Sequence, residues 1–70
     1  MNRYLVYIRL VDVIKHEVYL TVPALGPSKL KVFKYEDFPE EVLEGIVYKK
    51  GNLYVETDLD NFENWKFVGD

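Results

Sequence analysis

A chain of 70 residues with one histidine, one serine and two threonines has few routes to covalent chemistry. The histidine is His16, and the hydroxyls are Ser28, Thr21 and Thr57. Nucleophilic catalysis needs a base within hydrogen-bond reach of its nucleophile and a third group to orient that base. His16 falls in Lys15-His16-Glu17, which reads as a tight turn, so its plain role is that of a solvated turn residue. Carboxylates offer a second chemistry. Glu36, Asp37, Glu40, Glu41 and Glu44 form one acidic cluster and Asp58, Asp60 and Glu63 another, and paired carboxylates serve acid-base work or hold a hard cation. However, Asp58-Leu59-Asp60-Asn61-Phe62 lacks the loop glycine and the terminal glutamate of a calcium loop. These acids read as turn and capping residues. Cysteine is absent, which excludes disulfides and thiolate metal sites. No enzyme, no cofactor and no metal site is predicted.

Binding is the chemistry that remains, and its clue is the distribution of charge. The formal net charge of −3 divides unequally: residues 1–35 carry six basic and two acidic groups, residues 36–70 three basic and ten acidic. A near-neutral total thus hides a molecule with two unlike halves. Arg3, Arg9, Lys29, Lys31 and Lys34 lie in the basic half, interleaved with Tyr7, Phe33 and Tyr35. Cations that track phosphates beside rings that stack bases are the equipment of single-stranded nucleic-acid binders. The same aromatics, with Trp65, are equally suited to anchor a protein interface, and complementary charge selects the partner.

The elements that must position these groups follow from periodicity. In residues 3–14, Tyr4, Val6, Ile8 and Leu10 share one face of a strand, with Arg3, Leu5, Tyr7 and Arg9 on the other. The apolar set changes face near Val11-Asp12-Val13, where a bulge or bend is expected. Val18, Leu20 and Val22 form a second strand, so the first unit is a hairpin; Ala24-Leu25-Gly26-Pro27-Ser28 is a loop. Residues 29–35 form a third strand, with Leu30 and Val32 expected inside and Phe33, Tyr35, Lys29 and Lys31 on the opposite side. Asp37 is placed to cap a helical turn near residues 38–44 that Gly45 stops. Residues 45–50 and 53–57 then flank Gly51-Asn52, a hairpin signal. The segment 58–70 begins with a capped turn at Asp58 or Asp60, and Phe62, Trp65 and Phe67 cover an open end of the sheet.

The run Val11-Asp12-Val13-Ile14 followed by Glu17-Val18-Tyr19-Leu20, with Phe38-Pro39-Glu40-Glu41-Val42-Leu43-Glu44-Gly45-Ile46-Val47 and Gly51-Asn52-Leu53-Tyr54-Val55, resembles the domain of unknown function 3006 family. The resemblance covers roughly residues 11–60. It implies a compact β-rich domain and supplies no catalytic residue.

The fold class expected is all-β: one domain over residues 1–70, a small five-stranded antiparallel barrel of SH3-like or OB-like type. The alternative is an α+β sheet with a C-terminal helix. No stretch reaches the roughly 20 apolar residues that span a bilayer, so no membrane partner is expected and a cytoplasmic location follows as the default. The absence of Cys and Gln, with Met only at position 1, fits a thermophilic source. Eleven aromatic residues in so short a chain point to a core completed by association. The function expected is a non-enzymatic protein-interaction module that self-associates, with Tyr7, Phe33, Tyr35 and Trp65 as contact residues. The alternative is a nucleic-acid-binding barrel that uses Arg3, Arg9, Lys29, Lys31 and Lys34.

Overall fold

Alternating apolar residues become strands here wherever one side chain in two can be buried, and five segments satisfy that condition. The computed structural model describes residues 2–26, 29–49, 51–57 and 65–69. Its strands are β1 (Asn2–Asp12), β2 (Glu17–Thr21), β3 (Leu30–Lys34), β4 (Leu53–Thr57) and β5 (Lys66–Gly69). They form one antiparallel sheet in the order β3-β2-β1-β4-β5. The long central strand serves two partners in turn: its first half, Asn2 to Val6, pairs with β4, and its second half, Tyr7 to Asp12, pairs with β2. The class is therefore the expected small antiparallel β-domain with one short helix. Closure into a barrel is not observed, since β3 and β5 end the sheet order and no ladder joins them among the described residues.

One face of the sheet is the core. Val6, Val18, Leu20, Leu53, Val55 and Phe67 point inward and are buried, and Tyr4, Ile8, Val11 and Phe33 pack against them. The cover is α1 (Glu40–Val47), which buries Val42 and Ile46, one helical turn apart, together with Phe38 before it. Across the open ends of the sheet, Phe33 of β3 meets Phe67 of β5 at 5.0 Å and Trp65 at 5.3 Å between ring centroids, and Phe38 lies 4.4 Å from Phe67. Such edge-to-face and tilted contacts add about 0.5–1.5 kcal/mol per pair beyond burial. Aromatic packing takes the place of the missing ladder.

Several expectations are corrected. The helix runs through Gly45 to Val47, so residues 45–47 are not a strand and the hairpin about Gly51-Asn52 does not form. Gly45 does not end the helix because Ile46 continues the buried stripe begun by Val42. The left-handed residue that terminates it is Lys49, at φ 56°. The fifth strand is instead β5, drawn from the C-terminal segment expected only to cover the sheet. Asp37 does not cap α1: its carboxylate accepts the Lys34 N–H at 2.9 Å. The β1 bulge lies between Ile8 and Leu10, earlier than expected, and it turns Leu10 outward. On β3 the grouping of side chains is right and the face is reversed. Leu30 and Val32 are exposed, while Phe33 and, just beyond the strand, Tyr35 pack on the core. The expected turn at Asp58 or Asp60, and Phe62, Glu63, Pro27 and Ser28, lie outside the described residues.

Candidate interaction surface

Because the side-chain period of a strand is two, the residues between the core positions line the opposite face of the sheet. Cross-strand register sorts them into rows. Leu5, Tyr54 and Val68 lie side by side on β1, β4 and β5. Tyr7, Thr21 and Leu30, then Leu10, Tyr19 and Val32, lie side by side on β1, β2 and β3. Charged rows close the ends: Arg3, Glu56 and Lys66 at one, Asp12, Glu17 and Lys34 at the other. Thr21, in the middle row, is buried beneath Arg9, but the apolar residues about it meet solvent. Leu10 is 55% exposed, Leu30 52%, Val32 49%, Tyr7 48% and Leu5 37%. Sheets that meet water on one side ordinarily alternate apolar with polar. This one is apolar on both sides along β1 and β3.

The bulge is what aligns the strip. Without it, Arg9 would take the ladder position after Tyr7 on the outer face and Leu10 would turn inward. The extra residue restores Leu10 and Asp12 to the outer side, while Arg9 lies over the Tyr7 ring, 5.8 Å from its centroid, and donates from Nε to Thr21 Oγ1 at 3.1 Å. At the far end Arg3 bridges Glu56 at 2.9 Å and stands 5.7 Å over the Tyr54 ring. The Arg3 hydrogen bond, aided by the nearby Arg3 and Lys66 charges, holds the Glu56 carboxyl below its ordinary value of 4.5.

The residues singled out from sequence are only partly brought together. Tyr7, Arg3 and Arg9 belong to the outer face. Phe33 and Trp65 are half-buried in the aromatic cluster, and Tyr35 stacks on His16 with ring centroids 4.9 Å apart. Lys29, Lys31 and Lys34 are exposed along the β3 edge, where charge discourages strand-on-strand addition. Lys31 shares the inner side with Phe33, so β3 presents no row of free rings beside lysines. Sequence reasoning missed Leu5, Leu10, Leu30 and Val32 as contact residues, because two-sided apolar strands look from sequence like strands buried on both faces.

A cleft of about 980 Å³ runs between the second half of β1 and α1, lined by Ile8, Leu10, Glu41, Glu44, Ile46 and Lys49 among others. Among the described residues, no histidine, serine or threonine lines it. His16 sits on the β1–β2 turn, its carbonyl accepting the Tyr35 N–H at 2.9 Å. No helix among the described residues is long and apolar enough to cross a membrane. Comparison of the chain with protein-family models, with curated proteins and with solved structures finds no match in any of the three.

Proposed function

We propose that this chain is a non-enzymatic protein-interaction module that self-associates through the outer face of its sheet. The observation that carries the reading is the exposed apolar strip formed by Leu5, Tyr7, Leu10, Leu30 and Val32 on β1 and β3. Exposed apolar patches of this kind mark association surfaces. A second copy is the partner the face fits, because the charged rows at its two ends differ in sign. The row of Arg3, Glu56 and Lys66 carries net positive charge and the row of Asp12, Glu17 and Lys34 net negative charge. Size sets a further condition. The molecule measures 33 × 23 × 19 Å, and a standard interface takes about 800 Å² from each partner, so only a whole broad face is large enough.

Equilibrium sedimentation from micromolar to millimolar concentration tests the proposal. A monomer–dimer equilibrium is expected, shifted at least tenfold toward monomer by Val32→Lys with Leu10→Glu. Both positions are exposed, so folding, read by circular dichroism, survives. A wild-type chain that stays monomeric throughout overturns self-association.

A further inference from the structure

The outward residues of β1, taken in order, are Arg3, Leu5, Tyr7, Arg9, Leu10 and Asp12, of which Arg9 is the bulge residue with no cross-strand partner. The five that occupy ladder positions are self-complementary about Tyr7: leucine answers leucine on either side, and at the ends a cation answers an anion. The correspondence exists only because the bulge inserts one extra residue between Tyr7 and Leu10. Under strict alternation Arg9 would have held the ladder position that Leu10 takes, and Leu10 would have turned inward. A two-fold interface requires such a strip, since each residue on one copy meets the residue at the mirrored position on the other.

Resting on the self-association proposed above, we infer that two copies pack outer face to outer face about a two-fold axis that crosses β1 at Tyr7. The central strands then run antiparallel, and Tyr7 faces Tyr7 of the second copy. Leu5 faces its Leu10, and Arg3 its Asp12. Face-to-face sheets pack about 10 Å apart with strand directions within about 30°, so these pairs lie within side-chain reach. Both end charges keep capacity for a partner. Arg3 spends one terminal nitrogen on Glu56, while the turn amides of Ile14 and Lys15 reach only Oδ1 of Asp12. Arg9 is the one cation inside the strip, and pairing brings two of them to either side of the axis. Its position over its own Tyr7 ring and against Thr21 turns it from its counterpart.

The absence of native cysteine makes the geometry directly testable by cross-linking. Three single variants, Tyr7→Cys, Leu5→Cys and Leu10→Cys, are treated with a short bis-maleimide at concentrations where wild-type sediments as a dimer. Tyr7→Cys is expected to cross-link to itself. Leu5→Cys and Leu10→Cys are each expected to cross-link poorly alone and at least fivefold better when mixed. If Leu5→Cys links to itself as well as to Leu10→Cys, the strands do not run antiparallel about Tyr7 and the inference is wrong, while the proposed self-association stands. A dimer that none of the three variants captures overturns the geometry in the same way. If sedimentation instead shows a monomer, the proposal beneath it falls and this geometry falls with it. Dimerisation of each variant is checked by sedimentation before linking, and if Tyr7→Cys has lost it, Val32→Cys takes its place. Val32 is expected to lie off the axis and to link to Leu5→Cys less than Leu10→Cys does; the reverse order overturns the antiparallel arrangement.

Discussion

Single side chains in this molecule divide into those held by charge and those held by shape. Glu56 belongs to the first kind: its carboxyl titrates below 4.5 because Arg3 donates to it. A depressed folded value means that the contribution to stability is present above the unfolded value. It is lost as pH falls through the folded one. Following the Glu56 carboxyl carbon by NMR from neutral to strongly acidic pH should give a midpoint below 4.5, and Arg3→Gln should move it up. Tyr35 belongs to the second kind. Its ring stacks on His16, yet its buried hydroxyl has no hydrogen-bond partner among the described residues. An unpaired buried polar group costs about 1–3 kcal/mol. Tyr35→Phe, which keeps the ring, should therefore leave stability unchanged or raise it by up to about 1 kcal/mol in urea unfolding. A loss above about 1 kcal/mol would show that the hydroxyl is satisfied.

At the scale of elements, the helix shows how tertiary packing overrides a local stop signal. A glycine inside a helix costs roughly 1 kcal/mol relative to alanine, but burying the Ile46 side chain returns about 1.5–3 kcal/mol. The helix therefore passes Gly45. It ends where Tyr48 N–H bonds to Glu44 and Lys49 takes a left-handed conformation, at φ 56°, a strained geometry for a residue with a Cβ. Lys49→Gly should stabilise the fold by about 0.5–1 kcal/mol, read as an increased urea midpoint with unchanged slope. The same reasoning explains β3. Its two faces offer Leu30 and Val32 or Phe33, and the larger ring, with Phe38, Trp65 and Phe67 waiting for it, takes the inside.

The whole molecule is small enough that its core leaves little margin. At about 0.05–0.15 kcal/mol per residue a chain of this length holds roughly 4–10 kcal/mol. Leu20, completely buried between β1 and β3, is worth about 2–5 kcal/mol against alanine. Leu20→Ala should leave the isolated chain near its unfolding midpoint at about 37 °C, visible as loss of the near-ultraviolet aromatic signal. If two copies share the outer face, stability depends on concentration by mass action. The melting temperature should rise across a roughly hundredfold increase in protein, and Val32→Lys should abolish that rise. A concentration-independent melting point in wild-type chain would count against association.

Much of this architecture is legible in the residues alone. The alternation of β1 and β2, a turn about Lys15-His16 (it spans residues 13–16, and Glu17 already belongs to β2), the helix-start acids Glu40 and Glu41 and the division of charge all depend on neighbours in sequence, and neighbours suffice to read them. The candidate surface was half legible: alternation groups Tyr7 with Arg3, and Leu30 with Val32, since side-chain period is a property of the strand itself. Which group lies inside is decided elsewhere, by what residues distant in sequence bring to the far side of the sheet. Phe67 and Trp65 claim Phe33 for the core and leave Leu30 and Val32 outside. Register against β2 places the bulge at Arg9 and so turns Leu10 outward. Sequence determined β1 to β4 and most of their two faces; only the tertiary structure decided that residues 45–47 are helix, that Lys66–Gly69 is a strand and which face was buried, because burial is a competition among whole surfaces for one interior.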